Sequence, residues 1–158
     1  MTAPCEIGIS QQDRQEMARH MQLLLANEYV LYTKTLKFHW NVEGKHFGAL
    51  HAFFKEQYES MLDIVDDVAE RIRALGHMST GTLNEFSQNA IIPEEPGNNP
   101  DDLGMIRLLL LGHEEIIRQL RNMAETAITL KDIGTNNFLI DLMEKHEKMA
   151  WMLRAHIV

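Results

Sequence analysis

Cysteine is almost missing from this chain: among 158 residues Cys5 is the only one. That excludes an internal disulfide and a zinc site built from several thiolates, and it makes a reducing cytoplasm the expected setting. Proline is nearly as scarce, with four residues, three of them gathered at Pro93, Pro96 and Pro100. Long stretches on either side are therefore free to be helical. No apolar run reaches the length of about eighteen residues that a membrane-spanning helix needs. The N-terminus shows neither the charged nor the apolar region of a signal peptide. Basic residues are also short, with 15 Lys and Arg against 23 Asp and Glu, a formal net charge of −8. Residues 1–13 contain no Lys or Arg at all. Such a balance disfavours direct nucleic-acid binding at neutral pH, which normally needs a basic surface, and suits the attraction of cations.

What is present points to helices. Ten methionines and many Leu, Glu, Gln and Ala replace the Val- and Thr-rich alternation of strands. After a short arm over residues 1–9, Ser10 and Asp13 form a capping-box pattern that opens a helix over 11–40. Its apolar face runs from Met17 and Met21 through Leu24, Leu25, Tyr29 and Tyr32 to Phe38. A turn around Gly44 leads to a second helix over 47–75, with Phe47, Leu50, Phe54, Met61, Leu62, Val65, Val68 and Ile72 inward and Gly76 as its stop. Residues 77–100 form a long irregular crossover in which 82–89 suits a short helix. Pro100, in a first turn with Asp101 and Asp102, opens a third long helix to about Lys131, carrying Leu103, His113 and Ile128 on its apolar stripe. Gly134 is read as the break, and a fourth long helix runs to the end. The predicted fold is all-α: one domain over 1–158, a four-helix bundle of the ferritin-like kind whose long crossover between helices 2 and 3 carries a short helix. No internal repeat is detectable.

The side chains suited to chemistry gather between Phe38 and Gly76. His39 closes the first helix and His51 begins the second, so the two flank one turn and can meet across adjacent antiparallel helices. Asp66 and Glu70, four apart, share one face further along. Imidazole and carboxylate donors suit Fe(II), Zn(II) or Mn(II). Fifteen residues separate His51 from Asp66, about 22 Å of helix rise, so no metal touches both within one chain. Either the two sets are unrelated, or two chains pair about a two-fold axis and complete two equivalent sites. Carboxylates at helical spacing are more often a solvated face than a ligand set, and a lone His near a helix end is more often a cap.

The string FHWNVEGKHFGALHAFFKEQYE, continued by the D-x-x-x-E within DDVAERIRALG and by HEKMAWMLRAHIV near the C-terminus, resembles the signature of the Dps mini-ferritins. This resemblance covers the layout of essentially the whole chain. It implies a hollow dodecamer that oxidises Fe(II), preferably with hydrogen peroxide and more slowly with oxygen, and stores the Fe(III) mineral. It assigns His39 and His51 of one subunit and Asp66 and Glu70 of its partner to the metal, at the two-fold interface. Trp40 and Trp151 become the aromatics near the iron that take up oxidising equivalents. Glu59, Asp63 and Asp67 suit either a mineral-nucleating stripe or a solvated face.

The chain departs from that pattern in three places. Lys55 stands four residues after His51, where the family often has an acid. Asp132 and Asp141 fit the acidic pore region near the start of the last helix, but Asn137 replaces another expected Asp. The Lys-rich tail of DNA-binding members is absent. Of the remaining histidines, His46 in the turn is expected beside the metal ligands, and the rest are read as surface or core polar residues. The Glu-x-x-His pairs of larger di-iron proteins do not occur at matching places on two helices. Cys5 is expected to be an exposed thiol on a mobile arm. Two rival readings are a DNA-compacting structural protein and a metal-sequestering cage without turnover.

Overall fold

The computed structural model describes residues 4–157. Five helices follow one another as α1 (Gln11–Asn41), α2 (Phe47–Ala74), α3 (Leu83–Asn89), α4 (Asp102–Thr129) and α5 (Ile133–Arg154). No strand occurs among the described residues. The four long helices close a bundle in which α1 pairs with α2 and α4 with α5, while α1 also meets α4 and α2 meets α5. The expected all-α architecture is therefore the observed one, including the short helix on the crossover.

Local chemistry sets the boundaries. Ser10 accepts from the Asp13 amide at the start of α1. Thr82 and Glu85 make a reciprocal capping box on α3, and the Thr82 hydroxyl with the neighbouring amides holds the Glu85 carboxyl below its usual range. At the end of α2, Gly76 has φ 88°, its amide bonds to Arg73 O, and the His77 amide reaches back to Ile72 O. This is a Schellman stop, which favours glycine because the backbone is left-handed.

The stop of α4 differs from the expectation. The same pair of bonds forms there, Lys131 N to Ile128 O and Asp132 N to Ala127 O, but the left-handed residue is Lys131, at φ 58°. Gly134 lies inside the first turn of α5, where a Cβ would come within 3.0 Å of the Arg71 guanidinium. Pro100 likewise precedes α4, whose N-cap is Asp101. Helix α5 stops at Arg154, short of the C-terminus.

A continuous apolar core fills the bundle, with Met17, Leu24, Phe38, Phe54, Ile64, Leu109 and Leu142 among its members. Burying each such side chain contributes about 1.5–3 kcal/mol relative to leaving it exposed. Gly112 on α4 lets α1 approach: a Cβ there would lie 2.5 Å from Leu31 Cδ1. Four residues read as inward, Phe47, Leu62, Leu103 and Ile128, are exposed at the rims of their stripes. The crossover is tied to α1 by Asn27, whose Oδ1 accepts from the Ile91 and Ile92 amides at 2.8 and 3.1 Å, and by Tyr29 stacked on Phe86 at 4.5 Å. No helix among the described residues is long and apolar enough to cross a membrane.

Two expectations at the chain's periphery are corrected. The arm is held from Cys5 onward, because the half-buried thiol contacts Ala74 O at 3.7 Å and Arg14 donates to Ile9 O and Leu75 O. Residues 1–3 of that arm lie outside the described residues. Asp132 does not face an acidic pore: it is buried, caps α5 through the Thr135 amide, and pairs with Arg71 at 3.1 Å.

Candidate metal centre

The turn between α1 and α2 brings His39 and His51 together. Their rings stack with centroids 3.8 Å apart and planes 24° from parallel. His39 Nδ1 lies 2.7 Å from the His51 carbonyl oxygen, and His51 Nδ1 lies 2.9 Å from the His39 carbonyl oxygen. A carbonyl oxygen only accepts, so both Nδ1 atoms carry the proton and both Nε2 lone pairs are left for a metal. The edge of Tyr58 meets His39 at 5.2 Å, and Phe47 covers His51 at 5.0 Å. His39 is buried and His51 half-buried.

Asp66 and Glu70 are exposed on α2 and take part in no ion pair among the described residues. Helix α2 is unbroken from Phe47 to Ala74, so the carboxylates stay about four turns from His51. Among the described residues no three His, Cys, Asp or Glu groups of a single chain enclose a metal-sized point. One chain therefore brings the two histidines together and keeps the two carboxylates apart from them. Trp40, next to His39, and Trp151 on α5 are both exposed, at 67 % and 61 %. Lys55 points to solvent and pairs with Glu59 at 3.6 Å, one turn along α2. Asp63 and Asp67 are also exposed, Asp67 lying 4.0 Å from Lys145.

His46 does not join the pair. Its Nδ1 lies 2.9 Å from Asp102 Oδ2, tying the α1–α2 turn to the first turn of α4, and this bond, with the Leu103 amide, holds the Asp102 carboxyl below its usual range. Two further polar groups stand at buried or half-buried positions, Tyr58 on the expected apolar stripe of α2 and Glu28 on the apolar face of α1. Tyr58 is the aromatic neighbour of His39, and Glu28 lies buried in the bundle beside His146. The signal for Glu28 was its position on the apolar face of α1, four residues from both Leu24 and Tyr32.

Comparison with known proteins places the chain among ferritin-like relatives. A family model described as the ferritin-like domain matches residues 19–158. The chain is 40% identical over 152 residues to a low temperature-induced protein of Nostoc sp. (strain PCC 7120), covering 96% of this chain and 85% of that one. It is 32% identical over 142 residues to the DNA protection during starvation protein of Helicobacter pylori (strain J99), covering 90% and 96%. Among solved structures it is similar to the Dps protein of Vibrio cholerae O1, described as a member of a broad superfamily of ferritin-like diiron-carboxylate proteins. That match has a TM-score of 0.94 at 31% identity over the full length of both chains.

Proposed function

Because the chain belongs to the Dps family of ferritin-like proteins, we propose that it oxidises Fe(II) at sites shared by two subunits and stores the Fe(III) product. In this reading His39 and His51 of one subunit face Asp66 and Glu70 of the partner subunit, and a two-fold axis makes two such sites per pair. The observation that carries the reading is the reciprocal hydrogen bonding of His39 and His51, which leaves both Nε2 atoms free in a chain whose carboxylates are elsewhere.

Carboxylate and imidazole donors hold Fe(II) and leave positions open for an oxidant; Zn(II) and Mn(II) compete for the same donors. Hydrogen peroxide is the proposed oxidant, with oxygen the slower one. Two Fe(II) give up one electron each, the O–O bond breaks, and with two protons the products are two Fe(III) and two water molecules. Pairing the electrons in this way releases no hydroxyl radical. Trp40 and Trp151, exposed in the single chain, are the aromatics proposed to take up stray oxidising equivalents. The assembly proposed is a dodecameric cage in the cytoplasm, and protection of DNA follows from removal of iron and peroxide, since a net charge of −8 opposes direct DNA binding.

The test is anaerobic loading with Fe(II), then addition of hydrogen peroxide, following iron oxidation optically and peroxide consumption together. Rapid oxidation at about two Fe(II) per peroxide, lost in a His39→Ala/His51→Ala double variant, is the expected result. Oxidation no faster than in buffer would overturn the proposal and leave a cage that binds metal without turnover.

A further inference from the structure

Three ionisable side chains from three helices are shut away from water inside the bundle, and the metal chemistry uses none of them. Glu28 on α1, His113 on α4 and His146 on α5 are each 0 % exposed. His113 Nδ1 is 2.9 Å from His146 Nδ1, and His146 Nε2 is 2.9 Å from Glu28 Oε1. The first contact is a hydrogen bond whose proton sits on one of the two rings. The second is a close charge contact without the alignment of a hydrogen bond. Both Glu28 oxygens and the Nε2 atoms of both rings have no hydrogen-bond partner. The groups run in a line from Glu28 through His146 to His113 and do not enclose a metal-sized point.

The line offers one carboxylate to two imidazoles. One positive charge on the histidine pair has that carboxylate beside it as a counter-charge. One more proton, on His113, would add a second positive charge in a dry core with no second counter-charge. Burial, and next the neighbouring His146, hold the His113 imidazole well below its ordinary range. The other buried ionisable groups are engaged elsewhere: Lys34 faces Glu95 at 3.8 Å, Asp132 faces Arg71, and His39 meets the His51 carbonyl. From α2 the buried polar contribution is Gln57, which is neutral and donates to Met149 O at 3.4 Å.

The line also crosses a joint. The helices pair as two hairpins, α1 with α2 and α4 with α5. Glu28 stands on the first hairpin and both histidines on the second, beside the close approach of Leu31 to Gly112. Water reaches a doubly charged histidine pair only when that joint opens.

We propose that Glu28, His146 and His113 form an acid-sensitive latch that holds the two hairpins together near neutral pH and releases them as the medium turns acidic. The sign follows from proton linkage. An opened chain takes up a proton on His113 below about pH 6.5, and the closed bundle refuses it. The stabilisation is therefore present above that pH and is lost progressively below it.

The test follows opening of the full-length assembled protein by circular dichroism and by hydrogen exchange of α1 peptides, from about pH 8 down to pH 4.5 at one protein concentration. Wild type is compared with His113→Gln and His113→Leu. Below about pH 6.5 the wild-type opening constant should rise with acid up to about tenfold per pH unit more steeply than that of either variant, since one proton is no longer taken up. Equal slopes in wild type and in whichever variant folds would overturn the latch. So would wild-type α1 protection that, corrected for intrinsic exchange, stays constant down to pH 5.

Discussion

His39 and His51 hold one another through the backbone: each ring's Nδ1 meets the other residue's carbonyl oxygen, at 2.7 and 2.9 Å, while the rings stack at 3.8 Å. Each tautomer is fixed by the other residue's backbone carbonyl, and the stacking alone makes the position of one ring depend on the other. It also joins the last turn of α1 to the first turns of α2 across a short loop.

Mutual orientation predicts that either single variant, His39→Ala or His51→Ala, damages the site beyond the loss of one donor atom. The ring that stays loses the neighbour that stacks against it. Its carbonyl partner remains, so the extra loss is that of a stacked contact, about 0.5–1.5 kcal/mol, or roughly 2–10-fold in rate. Initial rates of Fe(II) oxidation for the two single variants check this. A wild-type rate in either one rules out the coupling.

A shared site makes a sharper prediction by mixing chains. A His39→Ala/His51→Ala chain and an Asp66→Asn/Glu70→Gln chain are each expected to be inactive alone. Refolded together, a mixed pair has one site with all four ligands and one with none. Random pairing across a two-fold interface then restores about a quarter of the wild-type sites. No recovery in mass-verified mixed assemblies would mean that histidines and carboxylates do not meet across subunits.

Gly112→Ala should destabilise the bundle by about 1–3 kcal/mol, because the new methyl needs space that Leu31 fills and overpacking pushes α1 from α4. Denaturant midpoints at fixed protein concentration measure it. Helix propensity alone predicts the opposite sign, which makes the result decisive.

Lys131→Gly should stabilise the chain, by about 0.5–1 kcal/mol. The left-handed backbone at φ 58° costs a lysine more than a glycine, and the exposed side chain makes no ion pair among the described residues that would be lost. A higher thermal midpoint is the expected outcome. An unchanged or lower one means that added freedom in the unfolded chain offsets the relief.

Much of the fold was legible because periodicity and caps are local. Met17, Leu24 and Phe38 recur at helical spacing, and Ser10, Thr82 and Gly76 punctuate the helices where their side chains or backbone freedom act. The stop of α4 is hidden in the sequence, because Gly134 advertises a break while the left-handed position falls on Lys131, which no propensity marks. The buried role of Asp132 is equally hidden, because its partner, Arg71, lies sixty-one positions away on another helix.

Within the sequence itself lie the four long helices, the pairing of His39 with His51 around one turn, and the distance along α2 that bars Asp66 and Glu70 from joining them. These follow from rise per residue and from side chains that act on their own neighbourhood. The tertiary structure alone decided which nitrogens are free in the histidine pair, where His46 is spent, and that Glu28, His113 and His146 share one dry line. Those contacts join residues far apart in the chain, and their chemistry depends on burial, which is a property of the packed bundle and of no single segment.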